Sequence, residues 1–183
     1  MDEREIRLLA DKLRNGEISV DTFVRSFKGL PFRDLGEVKL DTHRALRGAF
    51  PEIVYCPGKS PDQLKRIAET FSELPGRALF SRMSQEQHEL VSTILPGLEY
   101  LPVPRIGRLW PDRDLPSKGL VLVTTGGSSD VPVAEEAAVT AETIGCEVRR
   151  LFDVGIAGLH RLIAHMDVLF DADAIVAVAG MDG

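Results

Sequence analysis

This chain of 183 residues has little cysteine: only Cys56 and Cys146, in different segments, which read as isolated thiols rather than as a disulfide framework. It has no excess of base, with 22 Lys and Arg against 28 Asp and Glu and a formal net charge of -6, and the basic residues are scattered. Extended binding to nucleic acid therefore has little support. No apolar run approaches the roughly 18 residues that a membrane-crossing helix takes, and the N-terminus lacks the charged-then-apolar pattern of a secretory leader. Neither membrane insertion nor secretion is expected, and a cytoplasmic location follows as the default. Repeats and low-complexity runs are missing too. The four histidines, His43, His88, His160 and His165, are dispersed, and no His/Cys grouping has the spacing of a structural zinc site. What is present is ordinary for a soluble protein: 44% hydrophobic residues, enough for one substantial core or two small ones, so disorder is not expected.

Helix and strand signals alternate along the first half. Ile6, Leu8, Leu9 and Leu13 recur at helical spacing up to Gly16, and Ser19 can cap a second helix through Phe23 and Phe27. Strands are expected at 37–40 and 53–55, flanking a helical turn at 42–47. Ser60-Pro61-Asp62 is a good helix start, after which Leu64, Ile67, Ala68 and Phe71 share one face. Ala78-Leu79-Phe80 reads as a strand, Ser84 caps a helix to about Ile94, and 98–103 is extended. The stretch 103–118 carries three prolines, three arginines and the only tryptophan without a periodic pattern. The expected division is therefore a small α/β domain over 1–105, a linker over 106–118 and a second domain over 119–183.

In the second domain the predicted order is strand 120–125, helix 131–144, strand 147–152, helix 158–169, strand 174–179. Crossovers of that size demand parallel strands with a right-handed turn, so the fold class is α/β, with a partial flavodoxin-like three-layer sheet. The apolar run ending in Thr125 leads into Gly126-Gly127-Ser128-Ser129-Asp130 and then a helix. Glycines let the backbone approach a ligand, and Ser, Asp and free N–H groups at a helix start suit phosphate and ribose. A ligand-free turn has the same composition. Ligands of open α/β sheets sit beyond the carboxyl ends of the strands, which brings in 153–161, with His160 and Arg161, and 180–183, with Gly180 and Asp182. Arg161 offers a fork for phosphate and His160 a proton acceptor or donor near neutral pH; the pair also reads as a solvated surface dipeptide. Glu135 and Glu136 sit in the first turns of the helix, where its dipole favours acids without any ligand. Asp41, His43, Arg44 and Arg47 make a polar cluster that suits either a substrate or a salt-bridged surface turn. The strand at the end of a three-stranded parallel sheet leaves apolar surface uncovered, so the chain is expected to be truncated at its C-terminus.

Ser129-Asp130 after the Gly-rich turn, Gly158-Leu159-His160-Arg161, and Ala179-Gly180-Met181-Asp182-Gly183 are similar to the three active-site loops of the aminoimidazole ribonucleotide carboxylase and mutase fold. A closer likeness joins 125–137 and 153–161 with Leu40-Asp41-Thr42-His43-Arg44-Ala45-Leu46-Arg47-Gly48 and Phe50-Pro51-Glu52 of the first half: the chain resembles the LarB family, pyridinium-3,5-biscarboxylic acid mononucleotide synthase. The resemblance implies carboxylation of the pyridinium ring of nicotinic acid adenine dinucleotide, with phosphoanhydride hydrolysis releasing AMP, as the first step toward the nickel-pincer nucleotide cofactor of lactate racemase. It implies CO2 or bicarbonate as co-substrate, Mg2+ to neutralise the pyrophosphate, and a homo-oligomer, octameric in the intact family. On this resemblance Gly126, Gly127, Ser128, Ser129, Asp130, Arg161, Gly180 and Asp182 bind substrate and His160 transfers a proton; no residue is assigned to a metal. The family adds a cysteine thiolate to the ring to make it nucleophilic toward CO2. That cysteine belongs to the family's C-terminal portion, and Cys56 and Cys146 are better read as structural. Two further readings stay open: an aminoimidazole ribonucleotide carboxylase or mutase, and a non-catalytic fragment that binds a nucleotide.

Overall fold

A computed structural model describes residues 3–27, 32–34, 39–41, 51–73, 76–110 and 117–181. A helical pair opens the chain, α1 (Glu3–Arg14) and α2 (Val20–Phe27), with Ser19 Oγ accepting from the Thr22 N–H at 3.1 Å as the expected cap. Two three-residue strands follow, β1 (Phe32–Asp34) antiparallel to β2 (Lys39–Asp41); the second overlaps the strand expected at 37–40, and the first carries no pattern that announces it. The turn expected at 42–47, with His43, Arg44 and Arg47, lies outside the described residues.

The leading sheet has the order β3-β4-β6-β5, from β3 (Glu52–Tyr55), β4 (Ala78–Ser81), β5 (Leu98–Leu101) and β6 (Ile106–Leu109). β3 and β4 run parallel, and β6 is antiparallel to both β4 and β5. Their parallel connection is α3 (Pro61–Glu73), whose start is fixed by a reciprocal cap: Gln63 N–H donates to Ser60 Oγ at 3.2 Å and Ser60 N–H to Gln63 Oε1 at 2.9 Å. Ser84 and Gln87 repeat that device at the start of α4 (Gln85–Ser92). Leu64, Ile67, Ala68 and Phe71 of α3 are buried with Val54, Ala78 and Phe80, as their spacing predicts. Each large side chain so buried contributes about 2 kcal/mol from apolar area alone.

One segment of the expected linker is a strand: β6 begins at Ile106, inside 106–118, and pairs with β4 and β5. Its alternation is hidden because the residue facing α3 and α4 is Gly107, where a Cβ would lie 2.6 Å from Met83 Sδ and 3.3 Å from Phe80 Cβ, and because Arg108 stands where an apolar residue would mark the opposite face.

The second sheet is parallel with the order β8-β7-β9: β7 (Leu120–Thr125) lies between β8 (Glu147–Leu151) and β9 (Ala174–Val178). This order, second strand, first, third, is that of a flavodoxin-like sheet, with its switch point between β7 and β9. The first crossover is α5 (Val131–Thr143). The second, expected as one helix over 158–169, is two, α6 (Leu159–Ile163) and α7 (Met166–Asp171), because His165 leaves helical dihedrals at φ -122° and ψ 27°, and α7 then contacts β7.

α5 is the hinge of the architecture because both of its faces are apolar. Ala134 and Ala138 pack on Val123 and, with it, on Val121, Val148, Val176 and Val178 of the parallel sheet. Val139, on another face, packs on Leu79 and Ile106 of the leading sheet. Since side chains alternate along a strand, Ala78 and Phe80 serve the α3 and α4 side of β4 while Leu79 serves α5. Among the described residues no helix is long and apolar enough to cross a membrane.

Candidate functional site

Three strand-end turns meet at one rim. β7 delivers Gly126 to Asp130, β8 delivers Asp153 to Arg161, and β9 delivers Ala179 and Gly180. Their backbones are bonded together: Gly126 N–H donates to Val178 O at 2.9 Å, Gly155 N–H to Gly126 O at 3.1 Å and Val154 N–H to Thr125 O at 3.0 Å. Approach is close enough that a Cβ on Gly126 would lie 2.9 Å from that of Ala179, and one on Gly155 would overlap Gly126 O. Of the residues singled out in the sequence, Gly126, Gly127, Ser128, Ser129, Asp130, His160, Arg161 and Gly180 are therefore brought to one end of one sheet. Asp182 lies outside the described residues.

The β7 turn closes on itself. Asp130 Oδ2 accepts the Gly127 N–H at 2.9 Å and Asp130 N–H donates to Gly127 O at 3.2 Å, around a single 3-10 turn over Ser128–Asp130 that leads straight into α5. The Asp130 carboxylate thus shapes the loop. Ser128 and Ser129 are exposed at its lip. Gly127 has no neighbour closer than 3.7 Å to where a Cβ would be, so the lack of a side chain there keeps the loop open rather than relieving a clash.

The β8 turn holds Arg161. Its guanidinium pairs with the Asp153 carboxylate and lies against Gly158, where a Cβ would be 2.5 Å from Nε and 2.7 Å from Nη2. The Nε is shielded from solvent and has no hydrogen-bond partner among the described residues. Asp153 adopts φ 59°, a left-handed conformation uncommon outside glycine, and its N–H donates to Oγ1 of the buried Thr125 at 2.9 Å. Sequence reasoning passed over both Asp153 and Thr125. The run Val123-Thr124-Thr125 carried the signal, a polar residue where a buried strand ends. His160 is exposed, and His165 begins α7.

The acids of α5 are occupied. Glu135 accepts from Arg150 Nε at 2.9 Å, Glu142 pairs with Arg150 at 2.8 Å and with Arg108 at 3.4 Å, and Glu136 is 3.8 Å from Arg82. Arg108, buried, also pairs with Glu99 at 2.8 Å and lies 4.6 Å from the Trp110 ring centroid. An alternating chain, Glu99, Arg108, Glu142, Arg150, Glu135, thereby runs from the leading sheet across α5 to β8. Its members are up to 51 positions apart in sequence, counting from Glu99 to Arg150, so no local pattern announces it. Among the described residues no group of three or more His, Cys, Asp or Glu can hold a metal ion. Mg2+ takes several oxygen donors, and the rim carboxylates Asp130 and Asp153 are engaged by Gly127 and Arg161, so these residues do not fit an ion held by the protein.

Neither cysteine reaches the rim. Cys56 is fully buried in the leading core, where burial outweighs the nearby Lys59 and pushes its thiol up to about 12. Cys146 precedes β8, at the end of the sheet opposite the turns, its N–H donating to Ala141 O at 3.0 Å.

Comparison with known proteins adds two findings. Residues 32–111 match the family model described as LarB/PurE-like N-terminal domain, a span that takes in the whole leading sheet. An uncharacterized protein of Methanocaldococcus jannaschii, MJ0165, is 32% identical over 201 aligned positions, which cover 98% of this chain and 74% of that protein.

Proposed function

From the premise that this chain belongs to the LarB/PurE-like family, of carboxylase and mutase type, we propose that it acts on nicotinic acid adenine dinucleotide, serving carboxylation of the pyridinium ring and hydrolysis of the phosphoanhydride with release of AMP. The observation that carries this reading is the meeting of the three strand-end turns at the switch point of a flavodoxin-like sheet, the place where such sheets bind nucleotides.

In this proposal Ser128 and Ser129 take the phosphate or ribose at the start of α5, where N–H groups and the helix dipole favour an anion. Asp130 holds the loop in shape through Gly127. Arg161 swings from Asp153 to the phosphate, exchanging one carboxylate partner for another anion. His160 stands on the same turn as the proton-transfer group. Ring attack on CO2 requires electrons donated to the pyridinium by a nucleophile. The chain's own cysteines do not supply it, since Cys56 is a buried protonated thiol and Cys146 is at the far end of β8. The residues on this chain bind and orient the dinucleotide.

Incubation with nicotinic acid adenine dinucleotide, isotopically labelled bicarbonate and an added small thiol, which supplies the nucleophile that Cys56 and Cys146 do not, tests the proposal. Label in a pyridinium nucleotide together with AMP release is the expected result, with NAD and aminoimidazole ribonucleotide as comparison substrates. Labelling of aminoimidazole ribonucleotide in preference to the dinucleotide would overturn it. The position of the cysteines favours a second reading, in which this chain binds the dinucleotide without turning it over; calorimetric binding without incorporation of label distinguishes that case.

A further inference from the structure

A cavity of about 340 Å³ lies between the β5–β6 connection and α5, on the leading-sheet side of the helix and apart from the three turns. Leu101, Pro102, Val103 and Pro104 form one wall, Val131 and Val139 the other. We infer that this cavity receives a flat heteroaromatic group, the base of a nucleotide whose phosphate is held at the β7 turn. The inference rests on the nucleotide reading above and adds to it a second compartment, to which the leading domain contributes half the walls.

Size and lining come first. The volume falls at the lower end of small-molecule sites, which are mostly apolar with a few placed polar groups. Connection comes second. Val131 directly follows Asp130, so the helix that begins at the phosphate turn lines the cavity further along, through Val139 and Glu142. One element carries both compartments, and a nucleotide lying along it presents its phosphate to the turn and its base to the cavity.

Charge selects the class of occupant. Arg108 and Arg150 line the cavity, but both are matched, Arg108 by Glu99 and Glu142 and Arg150 by Glu135 and Glu142. Two cations against three carboxylates leave no surplus positive charge for a second phosphate. What they offer is a set of donors and acceptors around apolar walls, which suits the edge of a base. Arg108 lines the cavity, and its guanidinium lies over Trp110, which does not line it. Guanidinium planes are stacking surfaces for bases.

Titration calorimetry on the full chain with adenosine, nicotinic acid riboside and inorganic pyrophosphate tests the inference, comparing wild type with Val103→Trp and Val103→Glu. Val103 is 53% exposed at the mouth, so both variants fill or charge the cavity without touching the core, and far-UV circular dichroism verifies their fold. Loss of base stacking predicts that at least one riboside binds both variants about tenfold more weakly or worse, with pyrophosphate unaffected. Which riboside responds tells which end of the dinucleotide the cavity takes. Riboside affinities unchanged in both variants, or no riboside binding to wild type at millimolar concentration, would overturn it. Riboside binding that responds to Val103 while pyrophosphate fails to bind upholds the cavity and removes the phosphate turn instead.

Discussion

Arg161 shares its charge with Asp153 and rests on Gly158, so its availability to a ligand is set by two neighbours as much as by its own presence. Arg161→Ala is expected to weaken pyrophosphate and dinucleotide binding about tenfold or more, the loss of a charge-assisted hydrogen bond worth about 1.5–3 kcal/mol. Gly158→Ala is the sharper test, because the added methyl occupies the place of the guanidinium. Binding should fall toward that of Arg161→Ala while stability changes by only about 1 kcal/mol; calorimetry and urea unfolding read the two quantities separately, and a Gly158→Ala protein with full affinity would contradict the placement. Cys56 gives the opposite kind of prediction, a group kept out of chemistry. Its pKa is raised by burial from 9.0 to about 12, so the folded state retains a proton that the unfolded chain releases. The associated stability is intact below pH 9.0 and is lost progressively as pH rises toward about 12. At mildly alkaline pH iodoacetamide should modify Cys146 in the folded protein and Cys56 only after unfolding, as peptide mapping would reveal.

At the scale of the element, α5 owes its position to small residues on one side. Ala134 and Ala138 are fully buried against the parallel sheet, which lets the helix approach closely enough to touch a second sheet with Val139. Ala138→Leu is therefore expected to cost about 1–3 kcal/mol through overpacking, measured by urea unfolding; an unchanged midpoint would mean that the helix has room to spare. How legible each element was in the sequence follows from where its information lies. α3 and α4 were plain because their caps and apolar spacing are local: Ser60 with Gln63, Ser84 with Gln87. β7 was plain because a central parallel strand covered on both faces reads as a continuous apolar run, as Leu120 to Val123 does. β6 was hidden because Gly107 and Arg108 make sense only beside Met83, Glu99 and Glu142, residues that the chain brings in from elsewhere. The break at His165 has the same origin, a tertiary contact of α7 with β7 overriding a continuous helical pattern. The candidate rim was largely readable, since glycines after apolar strands mark strand ends. The grip of Asp153 on Arg161 and the ion-pair chain through Arg108 were not, because a charged residue looks the same in sequence whether solvated or paired.

At the largest scale, the two larger sheets of the described residues share one helix, and this has a thermodynamic consequence. The leading sheet loses the cover of Leu79 and Ile106 if α5 leaves, and α5 in turn holds the parallel sheet through Ala134 and Ala138. The polar links run the same way: Arg108 to Glu142, and Arg77 to the carbonyl of Thr143 at 3.4 Å. Neither half can open without exposing apolar surface of the other, so the chain is expected to unfold in a single cooperative transition, with circular dichroism and the fluorescence of Trp110 changing together. Val139 is where the coupling is concentrated. It is 4% exposed on α5 and packs between Leu79 and Ile106, while the contacts of α5 with its own sheet are made by other residues. Val139→Asp places a charge in that apolar junction, and an unpaired buried charge costs several kcal/mol there. The expected outcome is a split: the fluorescence of Trp110, beside β6, loses its cooperativity with the circular dichroism signal and changes at lower urea, while the parallel sheet persists to higher denaturant. A Val139→Asp protein that still unfolds in one step at an unchanged midpoint would show that the two sheets are held together by something other than α5, and the cavity beside it would then lose the rigid wall that its proposed occupant requires.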